Sequence, residues 1–343
     1  MARHRGGAAR SRRRTPRAHQ RSPRLLVRLV RLPPRHRGLR RELSRAATRA
    51  SYRRSPRRIA RGARRRAVEQ LEGKVAVVTG GGSGIGEGIA QACAAAGMRV
   101  VIADIEADAA ERSANSLRES GAEAIAVPTD VTDRDALDAL ADEAWEAFGA
   151  VHLLCNNAGV ITVGEIASTT PGDWQWLFGV NVFGVVHGIQ AFVPRMREQI
   201  AAQGGEAHIV NTGSMSSISA TRAVEVGVYC ATKHAVLGLS ETLRNELEDD
   251  GIGVSILCPG GVATQLFAAD RNLPDELRGR VTPRVEERRE VERSPPRDVG
   301  EMVVEAVREN RFWIITHPER RGTIERRAER LLAAFDEAEA RAG

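Results

Sequence analysis

The sequence predicts an α/β fold: a doubly wound, seven-stranded parallel sheet with helices on both faces. Three observations carry this. From Lys74 onward, short β-branched or apolar runs alternate regularly with stretches of helical length and composition. The runs are apolar nearly throughout, as strands covered on both faces are. The first of them opens through a glycine-rich turn into a helix.

The strands fall, in order, at Lys74–Thr79, Arg99–Ala103, Ala124–Pro128, Val151–Cys155, His208–Thr212, Gly253–Cys258 and Phe312–Thr316. Amphipathic or alanine-rich segments between them predict helices at Ile85–Ala96, Ala107–Ser120, Arg134–Phe148, Trp174–Gln203 and Tyr229–Glu248. Each strand-to-strand crossover is then right-handed. A ligand belongs at the carboxyl ends of the strands, where their order reverses. No internal repeat interrupts the alternation.

Charge divides the chain. Residues 1–70 hold 25 Arg and no Lys, with Glu42 and Glu69 as their only acids. They carry +23 and leave −16 on the remainder, out of +7 overall. Five prolines and little apolar periodicity predict that this front end does not fold by itself. Three readings stand for it: a nucleic-acid-binding arm with steep salt dependence, a transit peptide, or codons upstream of a true start near Val68. The acidic body offers no basic face, so nucleic acid is not an expected partner. The expected organisation is therefore 1–70 as an extension, 73–316 as the folded domain and 317–343 as a helical tail. Cys93, Cys155, Cys230 and Cys258 lie far apart with no C-x-x-C pair or clustered His, so no metal is expected, and they fit reduced thiols in a cytoplasmic protein. No apolar run reads as a membrane span.

After the first strand the chain runs Thr79-Gly80-Gly81-Gly82-Ser83-Gly84-Ile85-Gly86. Glycines permit the tight turn and close backbone approach, and the helix start offers free N–H groups to a pyrophosphate. Gly80, Gly82, Ser83, Gly84, Ile85 and Gly86 are the candidate contacts. Asp104 closes the second strand 18 residues beyond Gly86. A carboxylate there accepts from both ribose hydroxyls of an adenosine and repels a 2′-phosphate, which favours NAD over NADP without excluding the latter. No Arg or Lys lies within the loop or directly after Asp104. The competing role for Asp104 is a plain helix cap.

The TGxxxGIG spacing resembles the short-chain dehydrogenase/reductase family, a Rossmann-type fold. Further motifs follow in order: Asn156-Asn157-Ala158-Gly159, Tyr229-Cys230-Ala231-Thr232-Lys233 as YxxxK, and Pro259-Gly260. The resemblance covers residues 73 to about 316. It implies that Asp130 and Val131 hold the adenine, although Asp130 could instead cap the next helix. It also implies that Asn157, Ala158 and Gly159 pack beside the cofactor. Pro259, Gly260, Val262 and Thr264, matching PGxVxT, would hold the nicotinamide carboxamide, with hydride leaving the 4-pro-S face.

Tyr229 and Lys233 are four apart and share a helix face. An ammonium beside a phenol stabilises the phenolate, so the pair can exchange a proton with an alcohol or carbonyl oxygen while hydride moves at carbon. The resemblance makes Tyr229 the acid/base of a secondary-alcohol dehydrogenase and gives Lys233 the nicotinamide ribose as well. It also implies an active-site serine. Strand position favours Ser214, 15 residues before Tyr229, with Arg222–Glu225 absorbing two extra residues; the family's spacing favours Ser216, 13 before. Asn181 matches the family's helix asparagine, which holds a water between the lysine and solvent; its other reading is an ordinary solvent-facing residue.

Substrate choice in such proteins falls to the segment after Thr264, here Gln265 to Arg297, with Leu266, Phe267 and Leu273 among charges. Trp174, Trp176, Met215 and Val224 are candidate wall residues. Leu331, Leu332 and Phe335 give the tail a helical apolar stripe, expected to serve packing or oligomer contact. The resemblance implies a homodimer or homotetramer. The alternative to a dehydrogenase is a noncatalytic NAD(H)-binding regulator on the same fold.

Overall fold

The computed structural model describes residues 68, 70–220, 226–282 and 293–342. The arginine-rich front end, the Arg222–Glu225 loop and Val224 lie outside the described residues.

Seven strands form one parallel sheet: β1 (Val75–Thr79), β2 (Arg99–Asp104), β3 (Ala124–Pro128), β4 (Leu153–Asn156), β5 (Ala207–Thr212), β6 (Ile252–Cys258) and β7 (Trp313–Ile315). Their order is β3-β2-β1-β4-β5-β6-β7, with every pair parallel. The expected strands are all present, shifted by no more than two residues at either end. All five residues of β1 and all seven of β6 are buried, which is why neither alternates polar with apolar. The order reverses between β1 and β4, so their carboxyl ends diverge into a crevice.

Helices α1 (Gly84–Ala95), α2 (Ala107–Glu119) and α7 (Pro296–Arg308) cover one face through Ile89, Leu117 and Val303. The opposite face carries α3 (Arg134–Phe148), α5 (Gly184–Gln203) and α6 (Gly227–Glu246), packed through Leu140, Phe192, Met196 and Leu243. The α1–α7 crossing is very close: a Cβ on Gly300 would lie 2.1 Å from the Gly88 carbonyl oxygen.

The helix expected from Trp174 is a composite. It starts as α4 (Pro171–Phe178), with Thr170 and Asp173 forming a reciprocal cap and Pro171 in the first turn. One π-helical turn, Gly179–Phe183, joins it to α5. Contrary to the sequence reading, this run holds an 18-residue stretch of mean hydropathy 1.5, long and apolar enough to cross a membrane. Half of that stretch is buried inside the protein, because α5 is a core helix.

Beyond β6, residues 265–282 make two short 3-10 turns, Leu266–Asn272 and Asp275–Leu277. Their Ala269 and Leu277 pack on Trp176, Val228 and Tyr229, roofing the crevice. The C-terminal helix α8 (Arg321–Ala342) buries none of its residues, and Leu331, Leu332 and Phe335 stand about 60% exposed.

Candidate active site

A cavity of about 400 Å3 opens at the carboxyl ends of the strands. Its floor is the β1–α1 loop. The backbone of Gly80 and Gly84 takes positive φ, +63° and +55°, which glycine adopts without steric cost. A Cβ on Gly86 would lie 2.0 Å from the Gly80 carbonyl oxygen, so the helix can follow the turn this closely only with hydrogen there. Gly82 and Gly86 do not line the cavity; they let the loop fold, while Gly80, Ser83, Gly84 and Ile85 face the space. Ser83 caps α1 without a side-chain bond, so the first-turn N–H groups are not claimed by it.

Asp104 lines the same end. Its Oδ2 accepts from the Gly82 N–H at 2.9 Å and its Oδ1 from the Glu106 N–H at 3.0 Å. Each oxygen keeps a lone pair for a further donor. It does not cap α2, whose N-cap is Glu106. Asp130 and Val131 complete this end. Asp130 is likewise no helix cap: Asp133 caps α3, and Asp130 holds the Thr132 N–H and hydroxyl at 2.8 Å.

Between the two ends, Asn157 ties β4 to the loop. Its Nδ2 donates to the Thr79 carbonyl at 3.0 Å, and its N–H donates to the Thr79 hydroxyl at 2.9 Å. Ala158 and Gly159 line the cavity beside it, opposite Pro259, Gly260, Val262 and Thr264. The Thr264 methyl would meet a Cβ on Gly84 at 3.0 Å, bringing the β6 turn against the β1 turn.

Tyr229 and Lys233 emerge from the first turns of α6, both buried and both on the cavity wall. Lys233 Nζ donates to the Thr212 carbonyl at 2.8 Å and lies 5.5 Å from the Tyr229 ring centre. Burial pushes the phenol up to about 12, moderated by a hydrogen bond with the Ser214 side chain. Burial also pulls the ammonium down to about 8. This corrects the expectation that the ammonium lowers the phenol: desolvation outweighs the pairing across this distance.

Ser214 ends the β5 connection as the cap of a short 3-10 turn, with its hydroxyl toward Tyr229 and its Oγ accepting the Ser216 N–H at 3.0 Å. Ser216 also lines the cavity, and its carbonyl accepts from the Cys230 thiol. Asn181 sits in the π-helical turn and is fully buried, not solvent-facing. Its Oδ1 accepts the Val160 N–H at 2.8 Å, while its Nδ2 donates to the Val160 carbonyl and the Thr232 hydroxyl. It therefore stands behind the cavity wall, where a Cβ on Gly159 would meet both Asn181 Oδ1 and Lys233 Nζ.

Trp176 and Met215 line the cavity, as expected, but Trp174 turns outward, stacked on Phe178 and donating to the Thr169 hydroxyl. Leu266 and Phe267 line it too, whereas Leu273 packs behind in the roof. Sequence reasoning missed Val160, Ile161, Val180 and Val226, and the cations Arg271, Arg293 and Arg320. Val160 and Val180 adjoin candidate site residues, and Arg271 and Arg293 fall in the Gln265–Arg297 segment without having been singled out; Arg320 comes in by a crossing of the chain.

The short chain dehydrogenase family model matches residues 74–274, the span that holds β1 to β6 and most of the cavity's lining. The chain belongs to this family. A short chain dehydrogenase/reductase from Burkholderia phymatum, solved in complex with NAD, is 40% identical and aligns at a TM-score of 0.71 over 77% of this chain and 96% of that one. A C alpha-dehydrogenase from Sphingobium sp. is 34% identical over 272 residues, 77% of this chain and 87% of the relative. A 1-deoxy-11-beta-hydroxypentalenate dehydrogenase from Streptomyces exfoliatus is 36% identical over 255 residues, 73% and 86% respectively. As a short-chain dehydrogenase the protein is an oxidoreductase, and its cavity has two dissimilar halves. One is polar, with the glycine loop, Asp104 and Asp130. The other has Trp176, Val226, Phe267 and Met215 around Tyr229.

Proposed function

We propose that this short-chain dehydrogenase interconverts a secondary alcohol and a ketone with NAD(H), with Tyr229 as general acid/base. The observation that supports it most is the convergence of Tyr229, Lys233 and Ser214 on one cavity whose far end is the glycine loop and Asp104.

The cavity suits a dinucleotide in chemistry and in shape. The glycine loop and the α1 N–H groups suit a pyrophosphate, and the bare lone pairs of Asp104 suit ribose hydroxyls. Asp104 argues for NAD, since its charge opposes a 2′-phosphate. Asp130 and Val131 would border the adenine, and Thr264, Val262 and Pro259 the nicotinamide. The cofactor supplies hydride transfer at the carbon that bears the oxygen.

The protein's own part is proton transfer. The Tyr229 phenol, neutral at physiological pH through burial, is set to donate to a ketone oxygen. Donation leaves a phenolate, whose charge Lys233 balances, and in the reverse direction it is this phenolate that takes the alcohol proton. Ser214 donates to the same substrate oxygen and fixes its position. Asn181 positions Lys233 through the Gly159–Val160 segment after β4 rather than by touching substrate.

We extend the reading to a homodimer or homotetramer. Ile166 and Phe183 are 61% and 53% exposed beside the α4–α5 run and would be covered in such an assembly. Light scattering on the purified protein tests this, and a monomer at micromolar concentration rejects it.

For the catalytic reading, the purified full-length protein is incubated with NAD+ and a panel of secondary alcohols while reduced cofactor is followed by absorbance. Turnover that disappears in Tyr229→Phe, with NAD affinity retained, is expected. Tight NAD binding without turnover across the panel points instead to a regulator.

A further inference from the structure

The cavity carries a cation that the proton-transfer machinery does not use. Among the described lining residues the carboxylates are Asp104 and Asp130, both at the adenosine end. Lys233 is committed to the Thr212 carbonyl, and Arg271 is committed to Glu106 at 2.7 Å. Arg293 also lines the cavity and is engaged by a neighbour, whereas Arg320 lines it with a guanidinium that makes no hydrogen bond or ion pair with any described residue.

Its location is fixed from both sides. The chain leaves β7 through Thr316 and His317, whose Oγ1 and Nδ1 accept from the Gly260 N–H at 3.1 and 3.2 Å. Two turns of α8 later, Arg327 donates to the Ile218 carbonyl at 3.0 Å, beyond the Ser214 turn. Arg320 thus lies in the chain between contacts to the Pro259–Gly261 turn and to the Ser214–Ile218 segment, and it lines the same cavity as Tyr229. Met215, Trp176, Val226 and Phe267 give the same cavity apolar walls.

We propose that the substrate is an amphipathic hydroxy or keto acid: its carboxylate docks on Arg320, its apolar body lies on those walls, and its reacting carbon reaches Tyr229. The proposal rests on the dehydrogenase reading and names its substrate class. A guanidinium presents two parallel N–H donors to a carboxylate, and its charge is not already neutralised by a described neighbour. An apolar wall alone rejects neither acid nor ester, so Arg320 is where the discrimination lies.

The test uses (ω−1)-hydroxy fatty acids of increasing length and their methyl esters, on the full-length enzyme with NAD+ for turnover and with NADH for binding by calorimetry. The wild type binds at least one acid about tenfold more tightly than its ester. Arg320→Gln collapses that ratio to near unity, Arg320→Lys keeps part of it, and added salt erodes it because the mouth is exposed. Equal affinities for acid and ester, or a preference unmoved in Arg320→Gln, overturns the carboxylate site. Tyr229-dependent ester turnover in that case leaves the dehydrogenase reading intact. Arg320-dependent acid binding without turnover of either series overturns the substrate assignment if other secondary alcohols are turned over, and overturns the dehydrogenase reading if none is.

Discussion

Lys233 is held by the Thr212 carbonyl, 2.8 Å from its Nζ, with burial on every other side. One neutral acceptor does not offset the loss of water, and the ammonium's pKa falls from 10.5 to about 8. A depressed lysine destabilises the folded state fully below its folded pKa, and that cost fades as pH rises from about 8 to 10.5. The shift corresponds to about 3 kcal/mol, from which the lost Thr212 bond subtracts about 1 kcal/mol. Lys233→Met is therefore expected to be inactive yet about 2 kcal/mol more stable at pH 7. The advantage shrinks toward pH 10. Denaturant melts of both proteins at the two pH values check this, and a variant less stable at neutral pH refutes it.

The two serines separate by partner. Ser214 faces the Tyr229 phenol, while Ser216 gives its N–H to Ser214 and its carbonyl to Cys230. Removing a donor aimed at the reacting oxygen costs about a hundredfold in turnover. Ser214→Ala is expected to lose that much in kcat, and Ser216→Ala less than threefold or so, with NAD affinity unchanged in both. Steady-state kinetics decide between them; the reverse ranking makes Ser216 the donor.

At Asp104 the charge and the hydrogen bonds can be separated. Asp104→Asn keeps one acceptor for the Gly82 N–H but removes the negative charge that opposes a 2′-phosphate. The expected result is a roughly tenfold or larger rise in kcat/KM for NADP relative to NAD. An unchanged ratio would show that discrimination resides elsewhere in the cavity.

Gly86 tests the floor. A methyl group there would meet the Gly80 carbonyl at 2.0 Å, and both partners are backbone, so the turn itself must move. Gly86→Ala should cost about 2–3 kcal/mol, lower Tm by roughly 5–10 °C and weaken NAD binding together with it. Stability and affinity that fail to fall together would separate the loop's fold from its binding role.

What could be read ahead of the structure, and what could not, follows from range. Strand ends such as those of Ala124–Pro128 were legible because apolar runs stop at turns, and the sheet class follows from strands buried on both faces. The π-helical turn at Asn181 has no local signature: it begins at Gly179, and what it serves, the bonds of Asn181 to the Val160 backbone, lies 21 residues away. The inverted pKa shifts of Tyr229 and Lys233 were illegible because spacing along a helix reports proximity, not burial. Arg320 comes to the cavity through a crossing of the chain far from any motif. Asp133 took the cap that Asp130 was offered because it sits one residue before α3.

The roof of the cavity is pinned by a carboxylate at its far end. Asp173, fully buried, caps α4 through the Thr170 N–H at 2.8 Å and reaches across to the Thr282 N–H at 3.0 Å and hydroxyl at 2.7 Å. Burial pushes its pKa up, but the bonds from Thr170 and Thr282 more than reverse this and hold it below the ordinary carboxylate value. A carboxylate depressed in this way stabilises the fold above its unfolded pKa, and that stabilisation is lost as pH falls through the folded value. Asp173→Asn removes the charge and one acceptor while conserving shape. It is expected to cost about 1–2 kcal/mol, to raise KM severalfold by loosening residues 265–282, and to leave kcat near wild type, since Tyr229 and Lys233 are held by α6. Only below about pH 4, as the pH falls from the unfolded value through the lower folded one, should the wild type lose stability that the variant has already lost, so their melting curves converge in strong acid. A constant gap at all pH values would mean that shape, not charge, pins the roof.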